Sequence, residues 1–171
     1  MDREVERFLR HLDSDALRAV EISGEAHRIT RSWREYQTLE YPAFDLCAPP
    51  VPLPASGDVI ICEQVLEHVT DPLRAVQTLY DLCLPGGHVV VSTPFLVRVH
   101  PNPGDYWRFT EDGLCILLRK VGFDVVESGS WGNAPAVRAN FVSWALYRPW
   151  RSLRNNPSLP VSVWAFARRP D

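Results

Sequence analysis

The sequence predicts an α/β fold in three layers, built on a mostly parallel sheet. Two observations carry this prediction. First, Gly57–Pro94 holds a short apolar run, then a segment with apolar residues at helical spacing, then a second apolar run. A strand–helix–strand unit of this kind joins parallel strands through a right-handed crossover. Second, both runs are apolar without alternation, which is typical of strands buried on both faces of a sheet.

Several elements precede this unit. The first strand is predicted at Ala19–Ile22, with a turn at Ser23–Glu25, and the second strand at Glu35–Leu39. Cys47–Ser56 contains four prolines and is expected to be a rigid connection without regular structure. An amphipathic helix is predicted at the N-terminus, packed on an edge of the sheet, from the apolar positions Val5, Phe8, Leu9 and Leu12.

The central unit begins with a strand at Asp58–Cys62. Asp71 and Pro72 have the residue types favoured at the N-cap and the first position of a helix. Pro85-Gly86-Gly87 is expected to end this helix, and His88–Ser92 is the next predicted strand. The stripe that faces the core should consist of Leu73, Val76, Leu79 and Leu82.

The rest of the chain continues the alternation of helices and strands. Phe95–Thr110 is a long aromatic loop, and Thr110 caps a helix that ends at Gly122. Strands are predicted at Phe123–Glu127 and Val161–Phe166, with a helix inside Asn133–Tyr147. The buried stripe of the capped helix is predicted at Leu114, Leu117, Leu118 and Val121. A cluster at Arg148, Arg151 and Arg154 is interpreted as a solvated face rather than a phosphate-binding patch.

Three motifs occur in order, VLEHV at 65–69, LPGGHVVVSTP at 84–94 and DYWRFT at 105–110. Residues 62–94 resemble the fourth strand, the following helix and the fifth strand of class I S-adenosylmethionine-dependent methyltransferases. The resemblance covers about Arg18 to Phe123. It implies a Rossmann-like fold with a final antiparallel strand between two others, S-adenosylmethionine as cofactor, and methyl transfer to a small-molecule acceptor.

In this family the turn after the first strand carries an acidic residue and a glycine-rich segment. Here Glu21 keeps the acid, Ser23 stands at the first glycine position, Gly24 is displaced by one, and Glu25 stands at the second glycine position. Glu25 would place negative charge beside the pyrophosphate of a dinucleotide, so the turn argues against NAD more strongly than for the methyl donor.

The carboxyl ends of parallel strands meet at one edge of the sheet, where such folds bind their ligand. Glu40 is expected to accept hydrogen bonds from the ribose hydroxyls, although a solvated loop carboxylate is the competing interpretation. The resemblance implies Asp45 near the adenine amino group and Leu46 against the ring. The complete set of expected cofactor residues is Glu21, Ser23, Gly24, Glu40, Asp45, Leu46, Glu63 and Gln64.

The candidate catalytic residues are His68, His100 and Asp105. A base is needed only where the acceptor is protonated, and imidazole titrates near neutral pH. His100 and Asp105 could act as base and orienting group in the aromatic loop, although a loop histidine without a role is the competing interpretation of His100. His68 lies in the turn where the resemblance implies cofactor or substrate contact. A structural hydrogen bond is an equally good interpretation of His68. Arg108 is expected to pair with a carboxylate of the protein, with an acidic substrate as the alternative partner.

Composition sets further limits on function. The chain of 171 residues is expected to form one domain over residues 1–171, and its net charge of -3 predicts no general attraction to nucleic acid or membrane. The charged N-terminus and the lack of a long apolar run predict a cytoplasmic protein without a signal peptide. Four scattered cysteines indicate buried thiols rather than disulfides, and no metal site is expected. A homodimer is left open.

Two other functional classes remain alternatives to the methyltransferase. The altered glycine turn and the short connection before Gly57 would also suit a methyltransferase-like domain that binds or assembles without catalysis. A different nucleotide- or sugar-binding enzyme could use the same sheet, but Glu25 and the lack of a GxxxxGK loop count against it.

Overall fold

The computed structural model describes residues 2–101, 103–142 and 154–171. These residues contain a six-stranded sheet in the order β2-β1-β3-β4-β6-β5. The strands β2, β1, β3 and β4 are parallel, and β6 lies antiparallel between β4 and β5. The mostly parallel sheet with an antiparallel final strand is therefore confirmed. The strands are β1 Arg18–Ile22, β2 Glu35–Leu39, β3 Gly57–Glu63, β4 Cys83–Pro94, β5 Asp124–Trp131 and β6 Ser162–Arg168.

Helices cover both faces of this sheet. Their bounds are α1 Asp2–Leu9, α2 Pro72–Leu82, α3 Glu111–Lys120 and α4 Ala134–Val142, and a 3-10 turn occupies Ser14–Ala16. Successive side chains of β3 point to opposite faces, so Ile60 and Cys62 join the core under α2 and α3, whereas Val59 and Ile61 join a second cluster with Val5 of α1. The expected edge position of the N-terminal helix is wrong, because α1 packs on a sheet face.

The boundaries of α2 correct two details of the predicted unit. The helix ends at Leu82, before Pro85-Gly86-Gly87, which lies within β4. Leu73 is 38% exposed, and Ala75 is buried beside Val76 and Leu79. Val76, Leu79 and Leu82 are buried as predicted, and the buried face includes Ala75 in place of Leu73.

The C-terminal elements match their predicted positions with shifted ends. Thr110 caps α3, accepting a hydrogen bond from Gly113 N at 3.1 Å, and Gly122 follows the helix with φ +108°. In α3 the buried residues are Leu114, Cys115 and Leu118. The predicted helix near Pro135 is confirmed as α4. Residues 143–147 of the predicted span, and Arg148 and Arg151 of the arginine cluster, lie outside the described residues.

The half of the sheet around β1 has fewer helices than a doubly wound fold normally has. Residues 23–34 connect the parallel strands β1 and β2 through turns, and residues 40–56 connect β2 to β3 through turns and the proline-rich segment. The strand that resembles the family's fourth is thus the third in this chain. Among the described residues, no helix is long and apolar enough to cross a membrane.

The N-cap of α2 provides a test of the fold. The Asp71 carboxylate accepts a hydrogen bond from Arg74 N at 3.0 Å, which satisfies one of the free N–H groups of the first turn. Asp71→Ala is expected to lower the free energy of unfolding by about 1 kcal/mol in urea titrations. Asp81→Ala, at the exposed C-terminal end of the same helix, is the matched control and should change it by less than about 0.5 kcal/mol. Equal losses in the two variants would contradict the capping role.

Candidate functional site

A cleft of about 430 Å³ opens at the carboxyl edge of the sheet. Its walls come from the turns after β1, β2 and β3 and from the loop after β4. This is where parallel α/β sheets bind ligands, because the strand ends leave a crevice between diverging turns. The lining residues are Ile22, Ser23, Glu40, Tyr41, Phe44, Asp45, Leu46, Gln64, Val65, His68, Val69, Thr70, Pro103, Gly104 and Tyr106.

Two of the lining residues have left-handed backbone conformations. Ser23 has φ 54° and Gln64 has φ 55°, and each directly follows a strand. Such values are uncommon for residues other than glycine and concentrate at functional sites. Backbone hydrogen bonds hold both turns, from Ser23 N to Leu39 O at 2.9 Å and from Gln64 N to Ser92 O at 2.8 Å. The sheet itself therefore fixes the floor of the cleft.

The structure brings five of the eight expected cofactor residues to this cleft, namely Ser23, Glu40, Asp45, Leu46 and Gln64. Glu40 is exposed, while Asp45 Oδ1 accepts a hydrogen bond from Cys47 N at 2.8 Å. Gly24, Glu21 and Glu63 lie behind the lining. A side chain on Gly24 would meet the Glu21 carboxylate at 2.9 Å, which explains a glycine at this position.

Glu21 is a buried carboxylate that faces the loop after β1 rather than the cleft. It is 4% exposed, and it accepts hydrogen bonds from Ala26 N at 3.2 Å, from His27 N at 3.3 Å and from the Tyr36 hydroxyl. Burial raises the pKa of Glu21, although its hydrogen bond from His27 opposes that rise. The acid of the resembled motif thus anchors a loop that has no helix to stabilise it.

Sequence reasoning missed His27, which lies at the centre of this loop. The imidazole is 5% exposed, with Nε2 2.7 Å from Glu63 Oε2 and Nδ1 3.2 Å from Glu6 Oε1. Arg31 binds the other oxygen of Glu6 at 2.7 Å. Burial alone would lower the pKa of His27. The net shift is upward, because Glu63 binds the imidazole and adds its negative charge to those of Glu21 and Glu6. A protonated His27 therefore joins α1, the loop and the end of β3.

This network predicts a pH dependence of stability. Because the pKa of His27 is raised in the folded state, its contribution is complete below the unfolded pKa of about 6.5 and is lost as pH rises through the folded value. His27→Gln should therefore lower the free energy of unfolding more at pH 6 than at pH 9, by on the order of 1–3 kcal/mol. Urea titrations at the two pH values measure the difference.

His88 is the matched control for this experiment. Burial, together with the charge of Arg168, lowers the pKa of His88, so its neutral form is the one that the fold favours. Stability is then lost as pH falls below about 6.5, and His88→Gln should change the pH dependence in the opposite direction. If the two variants shift the pH profile in the same direction, the assignment of a charged His27 is wrong.

The other end of the cleft carries a second polar group of residues. His68 lies on the cleft wall, and its ring stands edge-on to His100 with centroids 5.2 Å apart. His100 N donates to Asp105 Oδ2 at 2.9 Å, and His100 Nδ1 lies 3.2 Å from the same oxygen. Arg108 binds both oxygens of Asp105, as expected of an arginine that pairs with a carboxylate of the protein. These bonds lower the pKa of Asp105 to about 2, chiefly through Arg108.

Glu67 is the second residue that sequence reasoning missed. Its side chain is 1% exposed, and among the described residues neither carboxylate oxygen has a hydrogen-bond partner. Burial raises the pKa of Glu67 to about 7, against the opposing charges of His100 and Arg108. Although the sequence predicts no metal site, donor atoms of Glu67, His68 and His100 lie within 4.8 Å of one another. Spacing could not indicate this set, since His100 belongs to a different loop.

The loop after β4 is held on the VLEHV turn by three hydrogen bonds. Tyr106 N donates to Glu67 O at 2.7 Å, Trp107 Nε1 donates to Val69 O at 2.9 Å, and His68 Nδ1 bonds Gly104 O. The described residues of the loop contain no helix, as its prolines predict, and they form one wall of the cleft. His100 and Asp105 do not line the cleft but lie directly behind His68.

A family model described as a methyltransferase domain matches residues 1–128. The chain belongs to this family. The resemblance to class I S-adenosylmethionine-dependent methyltransferases is thereby confirmed, and the expected cofactor and enzyme class agree with it. Ubiquinone biosynthesis O-methyltransferase of Ralstonia nicotianae is 32% identical over 133 residues, covering 69% of this chain and 51% of that protein. The chain therefore spans about half the length of that relative.

Solved structures support the fold independently of sequence. An S-adenosylmethionine-dependent methyltransferase from Mesorhizobium loti superposes with a TM-score of 0.60 at 16% identity, covering 95% of this chain and 96% of that one. The [4+2]-cyclase SpnF gives a TM-score of 0.64 at 14% identity, covering 99% of this chain and 80% of the cyclase. At these identities the likeness shows the Rossmann-like methyltransferase fold, and a fold alone does not determine the reaction.

Proposed function

We propose that the chain binds S-adenosylmethionine in this cleft and transfers its methyl group to a hydroxyl group of a small molecule. The observation that carries the proposal is the charge of the cleft. Its described lining contains the carboxylates Glu40 and Asp45 and neither arginine nor lysine. S-adenosylmethionine brings a sulfonium and an ammonium, whereas a dinucleotide brings phosphates. Carboxylates favour the first ligand and repel the second.

The residues divide the cleft into a cofactor end and an acceptor end. In the proposal Glu40 accepts hydrogen bonds from the ribose hydroxyls, Asp45 accepts one from the adenine amino group, and the buried Leu46 packs on the ring. Ser23 and Gln64 form the floor between β1 and β3. These turns are supported by the loop that contains His27. That loop is bound by Glu21 and Glu63, and Gly24 leaves room for the Glu21 carboxylate.

Methyl transfer is an in-line displacement at the carbon bound to sulfur. The protein contributes mainly by aligning the nucleophile, the carbon and the sulfur in a pocket that excludes water. Val65, Val69 and Tyr106 supply apolar surface next to His68 at the acceptor end. The loop after β4 closes that end, which makes Phe95–Thr110 the proposed cover over the acceptor.

An oxygen acceptor is supported by the relative from Ralstonia, whose name describes an O-methyltransferase. A phenolic hydroxyl has a pKa of about 10, and its oxygen is a good nucleophile for methyl transfer only when the proton is removed. We assign that role to His100 acting through His68, which lines the cleft and stands edge-on to the His100 ring, with Asp105 3.2 Å from His100 Nδ1 as orienting group. The acceptor itself is a small hydroxyl-bearing molecule.

The cofactor assignment is tested by calorimetry with S-adenosylhomocysteine. Glu40→Ala removes a charge-assisted hydrogen bond to ribose and is expected to weaken binding by about 1.5–3 kcal/mol, or roughly 10- to 150-fold. Glu35→Ala is the control, because Glu35 is an exposed carboxylate at the opposite end of the same strand. The affinity of Glu35→Ala for S-adenosylhomocysteine should equal that of the natural chain.

NAD serves as the second probe in this experiment. It should not bind, because the described cleft lining offers two carboxylates and no cation to its pyrophosphate. Tight binding of NAD, or no binding of S-adenosylhomocysteine by the natural chain, would reject the proposed function. An unchanged affinity of Glu40→Ala would remove only the ribose assignment.

The role of His100 is tested by separating turnover from cofactor affinity. With a panel of simple phenols and catechols, His100→Gln is expected to lower formation of S-adenosylhomocysteine by roughly 10²–10⁴-fold. Affinity for S-adenosylmethionine should remain within about twofold, since His100 does not line the cleft. Loss of cofactor binding in this variant would show a role in the fold or in cofactor binding, and the proton-acceptor assignment would then be withdrawn.

A further inference from the structure

Glu67, His68 and His100 form a constellation that hydrogen bonding within the protein does not explain. Glu67 is buried with both oxygens unpartnered among the described residues, and an unpaired buried carboxylate is costly. His68 Nε2 faces Glu67 Oε1 at 3.6 Å, whereas His68 Nδ1 is engaged with Gly104 O. A neutral imidazole that donates from Nδ1 presents a lone pair at Nε2. With His68 in this tautomer and Glu67 ionised, two lone pairs face each other across the gap.

We propose that Glu67, His68 and His100 bind a divalent transition-metal cation between the VLEHV turn and the loop after β4. A cation in the gap would satisfy both oxygens of Glu67 and the lone pair of His68 at once. Two ligands that each lie about 2.1 Å from a tetrahedral zinc ion are about 3.4 Å apart. The observed 3.6 Å between Glu67 Oε1 and His68 Nε2 is close to that separation. The third donor, from His100, lies within 4.8 Å of the other two.

The surroundings of the two imidazoles resemble those of metal-bound histidines. Such histidines usually give their second ring nitrogen to a carbonyl or carboxylate, which fixes ring orientation and tautomer. His68 Nδ1 bonds the carbonyl of Gly104, and His100 Nδ1 lies 3.2 Å from Asp105 Oδ2 and 3.2 Å from Arg98 O. Both rings are thus held by outer partners that lie on the same loop.

The local charge also suits a cation. Arg108 is the nearby positive group, but Asp105 binds its guanidinium through two hydrogen bonds and compensates its charge. A cation bound in the gap would compensate the charge of Glu67 in its ionised form. Two imidazoles with one carboxylate favour zinc, cobalt or iron(II) over magnesium, which prefers oxygen ligands.

The site deepens the proposed function, on which its catalytic meaning rests. Three protein ligands leave a coordination position open. Because His68 also lines the cleft, an acceptor hydroxyl could take that position, and the cation would then lower the pKa of the hydroxyl. In the metal-bound state the cation therefore replaces the His100 imidazole as the group that activates the acceptor, because a ligating imidazole has no free lone pair. Binding of the cation itself does not depend on methyl transfer and can be measured alone.

The experiment uses the full chain after dialysis against a chelator. Calorimetry with Zn²⁺ should give one site per chain, and Co²⁺ should give visible absorption bands of nitrogen and oxygen ligation. Glu67→Gln keeps the side-chain shape without the charge and should weaken Zn²⁺ binding at least 100-fold. His100→Gln should weaken it comparably, and Asp105→Asn, outside the ligand set, by 10- to 100-fold. Two control variants should bind Zn²⁺ as the natural chain does. They are His11→Gln, which removes an exposed histidine, and Cys47→Ser, which removes a half-buried thiol.

Two results would overturn the site, namely no Zn²⁺ binding by the natural chain, or equal binding by the natural chain, Glu67→Gln and His100→Gln. Circular dichroism of each variant excludes unfolding as the cause of lost binding, and Glu67→Gln removes a buried charge and should fold readily. Titration of the same samples with S-adenosylhomocysteine separates the two proposals. Zn²⁺ binding without S-adenosylhomocysteine binding would reject the proposed function alone, and the reverse result would reject the metal site alone.

Discussion

The arrangement of the whole molecule depends on one strand, β3, being buried on both faces. Ile60 and Cys62 pack under α2 and α3, while Val59 and Ile61 point to the opposite face. A strand with apolar side chains on both faces needs cover on both, so the eight-residue helix α1 becomes part of the core. Its position brings Glu6 to the carboxyl edge of the sheet, where Glu6 meets His27. The helix α1 therefore both covers the hydrophobic core and supports the cleft.

The connection between β1 and β2 shows how a short chain can keep a ligand-binding edge without its usual helix. In doubly wound folds a helix after the first strand orients the turn and leaves few buried polar groups to pair. Here turns replace it, and their backbone N–H groups need acceptors. Glu21 supplies two of these acceptor contacts, and Tyr36 shares the same carboxylate. The acid of the family motif is retained, and in this chain it stabilises the loop.

Much of the fold could be predicted from the sequence because its signals are local. The apolar runs, the Asp71-Pro72 start of α2 and the Thr110 cap all act within a few residues, and the structure confirms them. Leu73 is exposed where the pattern predicts a buried residue, because periodicity alone does not distinguish an exposed leucine from a neighbouring close-packed alanine, here Ala75. The importance of Glu67 and His27 arises from partners on other elements, which no spacing in the chain reveals. His27 had no supporting pattern in the sequence, and Glu67 stood inside a recognised motif without an evident reason.

The combination of motifs in this chain has a physical explanation in the contact between them. VLEHV and DYWRFT are separated by a helix and a strand, yet the backbone of Glu67 and Val69 accepts hydrogen bonds from Tyr106 and Trp107. The two segments form one wall of the cleft, so a substitution in either segment removes contacts that position the other. Gly104 is confined in the same wall, because any side chain there would collide with the Tyr106 ring. Motifs that look modest one at a time are specific together because each provides the hydrogen-bond partners that the other needs.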